Sequence, residues 1–136
     1  MKGKVLFIAP QFPPQSGPGV HRRKNFVTHL SKFGYQPIIL TLDKTALRQL
    51  GYTIDDSMLN SLPSDLKVYR TPSYEPFKTR RFFEQMRIFR LVWFLLYPLF
   101  WERMAVWPFG AYKKAKSIIK DENIKLVYTS SSPFSA

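Results

Sequence analysis

"KVLFIAPQFPPQSGPGVHRRKNFVTHLSKFGYQPIILTL", residues 4–42, is the stretch that decides the fold. Residues 4–9 are a short apolar run with β-branched and aromatic members, the pattern of a strand buried on both faces. Phe26, Val27, Leu30 and Phe33 then fall on one face of a helix predicted over residues 21–33, and Gly34 is its stop signal. Residues 36–42, QPIILTL, read as a second buried strand. Strand, helix and strand in a span of about 40 residues match a βαβ unit with a right-handed crossover, so the sheet begins parallel.

Between the first strand and the helix lie four prolines, two closely spaced glycines and a burst of positive charge at His21, Arg22, Arg23 and Lys24. Glycines at a helix start let backbone N–H groups approach an anion, and the positive end of the helix dipole lies there too. Gly17, Gly19 and Arg22 occupy the positions of a G-x-G-x-x-G motif whose last glycine is replaced, and Asp43 ends the second strand as a ribose-binding acid would. The spacing argues against a dinucleotide site. Residues 10–16 intervene between strand and glycines, and the third glycine, which permits close helix–sheet contact, is missing. No Gly-Lys-Ser or Gly-Lys-Thr follows, so the loop is not a Walker loop either. The alternative is a plain turn whose glycines serve only their dihedrals.

Further along, residues 43–66 are polar and irregular, with a short helix predicted at DDSMLNSL from Met58, Leu59 and Leu62. LKVYRT, residues 66–71, reads as a third strand ending at Pro72. A helix with Ala111, Ala115, Ile118 and Ile119 on one face precedes a fourth strand in IKLVYTS, residues 124–130. The 136 residues suit one domain, and 45% hydrophobic content is enough to fill its core. Lys and Arg outnumber Asp and Glu by 21 to 9, a net charge of +12 that calls for an anionic partner: nucleotide, nucleic acid or acidic membrane. With no cysteine and only His21 and His29 as histidines, no metal-ligand cluster is expected, and no disulfide can form. The apolar run after Met1–Lys4 is too short and too β-like for a signal peptide, which sets a cytoplasmic expectation.

The ordered combination of these motifs resembles the GT-B glycosyltransferases of family 4, in their N-terminal domain. It rests on APQFPP after the first strand, Gly17 and Gly19, Arg22 three residues on, a helix ending in LSKFG and a strand ending in IILTL. DDSMLNSLPSDLKVYRTPSYEP and IKLVYTSSSPFSA are similar to later parts of the same domain, so the resemblance runs nearly the whole length. It implies an α/β, Rossmann-like parallel sheet with flanking helices, forming the acceptor-side domain over residues 1–136 of a larger enzyme. The chain stops at a turn that should lead into another helix, which also reads as truncation. The implied activity is transfer of a sugar, with retention and no metal or cofactor, from a nucleotide-sugar donor to a glycan or lipid-linked acceptor. Donor-binding motifs would belong to a second, C-terminal domain, so this part alone is expected to be inactive.

By the same resemblance Gly17, Gly19 and Arg22 would meet the donor diphosphate. Arg22 is alternatively a solvated or ion-paired helix residue. His21 and the loop serines Ser131, Ser132 and Ser135 are candidates for acceptor hydroxyls, the serines alternatively turning and capping a following helix. The rival class is a non-catalytic basic module binding nucleic acid or anionic membrane through counterion release. No nucleic-acid-binding motif supports the first of these partners.

Residues 80–107 stand apart. Arg80, Arg81, Arg87 and Arg90 interleave with Trp93, Phe94 and other apolar residues. The uninterrupted apolar run from Leu91 is about half of the roughly 20 residues a bilayer-crossing helix needs, and Pro98 interrupts it. Such a segment either lies in an anionic membrane interface or packs as a core helix with a basic edge. The resemblance favours the membrane, hence a peripheral place on the inner membrane face.

Overall fold

The computed structural model describes residues 3–73 and 107–130. The membrane-contact candidates Arg80, Arg81, Arg87, Arg90, Trp93 and Phe94, and the acceptor candidates Ser131, Ser132 and Ser135, lie outside the described residues.

Four strands, β1 (Gly3–Ile8), β2 (Tyr35–Leu42), β3 (Lys67–Thr71) and β4 (Leu126–Thr129), form one sheet in the order β3-β2-β1-β4. Every pairing is parallel, with Ile8 opposite Leu40 and Thr129, and Leu42 opposite Thr71. The expected α/β, Rossmann-like sheet is therefore present. The two apolar runs of the sequence become its central strands, which must be apolar on both faces because helices cover both. Pro37 pairs with Val5 of β1 and precedes the β2–β3 ladder, which opens at Ile38 opposite Lys67.

Alternation along the strands divides the core. Leu6, Ile38, Leu40 and Leu42 meet α2 (Lys44–Gln49) and α3 (Trp107–Glu122) on one face, where Leu47, Trp107, Ala111, Ala115 and Ile118 are buried. Phe7 and Ile39 meet Val27 of α1 (Pro18–Lys32) on the other, together with Ala9 and Phe12 from the loop after β1.

Four local expectations change. Helix α1 begins three residues earlier than periodicity suggested, with Pro18 in its first turn, and it buries Val20, Arg23 and Val27. Phe26 and Phe33 are exposed. Phe33 is already the C-terminal cap, followed by Gly34 at φ 83°, and Phe26 stacks against Phe7 and Tyr128 at centroid distances of 5.7 and 5.2 Å. The polar stretch after β2 contains α2, capped by Asp43, whose carboxylate accepts from the Ala46 N–H at 2.6 Å. Six residues with Ala46, Leu47 and nearby Leu50 buried are too short a span for a 3.6-residue period to stand out. In α3 the predicted face holds except that Ile119 is exposed and Glu122 takes the inward position one turn on. The helix predicted at DDSMLNSL is a 3-10 helix, Asp56–Ser61, with Asp55 as its cap and Met58 buried.

Glu122 closes the amino end of the sheet. Its two oxygens accept from Lys4 Nζ at 2.7 Å and Lys67 Nζ at 2.7 Å, and Tyr69 donates its hydroxyl at 3.1 Å. The bond from Lys4, then that from Lys67, holds its carboxyl at about 2, against an ordinary value of 4.5. A depressed carboxyl pKa contributes stability that is full above the unfolded value and is lost as pH falls toward the folded one. Urea melts should therefore show wild-type stability declining between about pH 4.5 and pH 2. Glu122→Gln should lower the midpoint at pH 7, with the gap to wild type closing as pH approaches 2. An unchanged gap at pH 2.5 would contradict this linkage.

Candidate functional site at the carboxyl end of the sheet

The strand order reverses at β1, because the chain builds β2 and β3 on one side of it and then returns to place β4 on the other. In open parallel sheets this reversal opens a crevice beyond the strand carboxyl ends. Here its walls are the loop after β1, the start of α1 and the residue after β4. Ser130 donates its N–H to Ile8 O at 3.1 Å and Ala9 donates to Leu40 O at 3.0 Å, so both exits stay tied to the sheet.

The proline-rich loop is held along its length by neighbouring elements. Pro10 O accepts from the Thr41 hydroxyl at 3.2 Å, Pro13 O from Arg70 Nη2 at 2.8 Å, and Pro14 O from the Asp55 N–H at 2.7 Å. Ser16 donates its N–H to Thr53 O at 2.9 Å, and Phe12 is fully buried beneath. The prolines offer no N–H groups, so they are held through their carbonyls, and one isolated antiparallel bridge, Gln15 opposite Ile54, adds the Ser16 N–H. Burial lowers the pKa of Arg70, and the nearby Asp43 acts in the opposite sense.

This loop delivers Gly17 as the N-terminal cap of α1 at φ 146° and ψ 160°. That backbone region is essentially reserved to glycine. A Cβ there would meet nothing within 4 Å, so the glycine is needed for its dihedrals while the space around it stays open. No side chain caps the helix start, Pro18 carries no N–H, and no acidic residue lies in the first turn. What remains is an N-terminus with its positive dipole end, followed by Arg22, Arg23 and Lys24 in the second turn.

Of the residues singled out by sequence, Gly17, Gly19 and Arg22 share this helix start, and Arg22 is exposed to solvent. His21 is exposed too. It contributes to the depression of the Asp55 pKa, after the stronger hydrogen bonds from the Ser57 side chain and backbone, so it stands on the side of the 3-10 helix. Asp43 is engaged in capping α2.

The residue that joins the walls is Arg23, which is only 7% exposed. Its Nε donates to Ser130 Oγ at 2.9 Å, and Nη1 donates to Gln11 Oε1 at 3.1 Å and Gln11 O at 3.3 Å. One guanidinium thus spans the loop after β1 and the residue after β4. Gly19 lies against it, since a Cβ there would sit 3.4 Å from Nη1. Burial, and secondarily the charge on Arg22, lower the pKa of Arg23, yet a guanidinium stays charged near neutral pH. The signal for this residue was present in the sequence. Val20, Arg23, Val27 and Leu30 recur at helical spacing, with one arginine inside an apolar stripe.

A separate pocket of about 270 Å³ lies at the amino end of β2, lined by Tyr35, Gln36, Pro37 and Asp65 among others, at the opposite end from this crevice. Among the described residues there is no group of three or more His, Cys, Asp or Glu placed to hold a metal. None of the described helices is long and apolar enough to cross a membrane. No protein-family model, curated protein or solved structure matches the chain.

Proposed function

We propose that the chain is the acceptor-side domain of a GT-B-type glycosyltransferase that moves a sugar, with retention and without a metal, from a nucleotide donor. One observation carries the reading: a glycine-started helix with no side-chain cap opens at the reversal point of a parallel sheet, with basic residues in its second turn. In this reading the Gly19 N–H and the positive end of the α1 dipole face the donor diphosphate and stabilise the charge that grows on the leaving group, the Val20 and His21 N–H groups being bonded to Gly17 O. Arg22, exposed one turn in, supplies a second contact to phosphate. His21 and the serines after β4 receive acceptor hydroxyls. A C-terminal domain brings the donor base and sugar, and the enzyme works at the cytoplasmic membrane face on a glycan or lipid-linked acceptor.

The test uses the intact enzyme and a panel of nucleotide sugars. A true donor at 100 times its Kd stabilises the protein by about 2.7 kcal/mol, which a thermal melt detects. Arg22→Ala should reduce turnover by about tenfold or more, the weight of one charge-assisted contact, while leaving the melting temperature of the free protein unchanged. Wild-type kinetics in Arg22→Ala would return that residue to the solvated helix face. No shift with any nucleotide sugar, together with salt-sensitive binding to oligonucleotides, would favour the basic binding module instead.

A further inference from the structure

The outward face of α3 has no role in the crevice, yet its side chains are sorted. Phe109 is 75% exposed and Tyr112 is 65% exposed. Lys113, Lys116 and Lys120 are exposed as well. Phe109, Lys113, Lys116 and Lys120 follow the spacing i, i+4, i+7, i+11, which places them in one stripe along the helix, with Tyr112 at its border. The opposite side buries Trp107, Ala111, Ala115, Ile118 and Glu122. No carboxylate of α3 shares the stripe: Glu122 is inward on Lys4 and Lys67, and Asp121, a quarter turn or more away, accepts from the Ser117 hydroxyl at 2.9 Å. Lys116 lies over the Tyr112 ring at 5.8 Å, whereas Lys114 turns to the other flank over Tyr69.

We infer that this stripe of α3 docks the protein on an anionic phospholipid bilayer. Charge complementarity and geometry select that partner. The helix is 16 residues long, and its stripe of lysines parallels the axis, so all of them reach a flat anionic surface together. Of the two exposed aromatics, Phe109 offers an apolar ring to insert and Tyr112 an amphipathic one that sits among headgroups. Their position adds a functional consequence. Trp107 at the start of α3 donates to Thr71 at the end of β3, so the aromatic end of the stripe lies at the carboxyl end of the sheet, where the crevice opens. Docking through the whole stripe lays α3 along the surface, so the crevice at that end of the sheet lies beside the bilayer, where a lipid-linked acceptor resides. The inference rests on the proposed function for the acceptor alone; the binding surface stands on α3 itself.

Sedimentation of the full chain with vesicles, scored without any turnover assay, separates this inference from the transferase reading. Wild-type protein should bind vesicles containing phosphatidylglycerol and leave pure phosphatidylcholine vesicles in solution. Binding should weaken as salt shortens the Debye length to about 10 Å at 0.1 M. At about fivefold per lysine, Lys113→Gln, Lys116→Gln and Lys120→Gln combined should weaken binding on the order of a hundredfold. Phe109→Ala with Tyr112→Ala should weaken it by about tenfold, because two largely exposed rings then have no area to bury. All of these positions are on the solvent side, and circular dichroism checks that the fold persists. Variants that bind like wild type would assign binding to another surface and overturn the inference. So would wild-type protein that ignores acidic vesicles, binds neutral ones equally, or is displaced from them by competing oligonucleotide at stoichiometric amounts.

Discussion

Replacing Trp107 by alanine should lower the unfolding free energy by about 3–5 kcal/mol, the usual cost of emptying a large aromatic site. Trp107 is 1% exposed and is packed with Leu6, Leu40 and Leu42 of the central strands. It also donates its indole N–H to Thr71 Oγ1 at 2.9 Å, and that hydroxyl donates to Thr41 O at 3.4 Å. Domains of this kind are stable by about 5–15 kcal/mol in total, so the loss consumes a large share and should shift Tm on the order of 10 °C. Trp107→Phe separates the two contributions. It keeps most of the ring volume but removes the donor, so it should cost less than alanine, with about 0.5–1.5 kcal/mol of that cost assignable to the bond. Paired with Thr71→Val in a double-mutant cycle, the losses should be less than additive, because either change alone breaks the same bond. Full additivity would mean that the indole acts only by volume.

How much of this could be read in the residues depends on whether the deciding contact is local. Both central strands announce themselves, because a parallel strand covered on two faces needs an unbroken apolar run, and Val5–Ile8 and Ile38–Leu40 supply one. The stop of α1 was equally legible from Gly34. The position of β4 was not. Residues 126–129 form a strand whichever neighbour they take, and only tertiary pairing puts them beside β1 and reverses the order there. Ser130 reaches the site through that pairing, so nothing local could have joined it to a helix more than a hundred residues earlier.

Phe26 and Arg23 show the same limit from two directions. Hydrophobicity sends Phe26 inward, but the helix meets the sheet along Val20, Arg23 and Val27, and Phe26 stays at the margin on Tyr128. Charge sends Arg23 outward, but its neighbours at helical spacing are apolar and its guanidinium finds oxygens from Gln11 and Ser130. Buried polar groups are acceptable when their bonds are made, and that condition is visible only once the loops have been placed.

Arg23→Met should therefore act on both stability and function, and more strongly than any change at Arg22. Methionine is an unbranched side chain that keeps part of the buried volume but removes the donors to Ser130 Oγ, Gln11 Oε1 and Gln11 O. Hydrogen bonds from a charged donor contribute about 1.5–3 kcal/mol, so a loss of that order in a chemical melt is expected. The functional effect follows from position. With the guanidinium gone, the loop after β1 and the residue after β4 lose their common anchor, and a misplacement near 1 Å costs about 10²-fold in rate. Turnover of the intact enzyme with its donor should fall by about that factor. Arg23→Lys is the informative control. A lysine keeps the charge, but one ammonium cannot reproduce the fork that reaches Ser130 through Nε and Gln11 through Nη1, so it should recover little. If Arg23→Lys restores both melt and turnover, the charge alone matters and the spanning role is wrong. If Arg23→Met lowers stability yet leaves turnover intact, the guanidinium braces the fold without positioning the crevice.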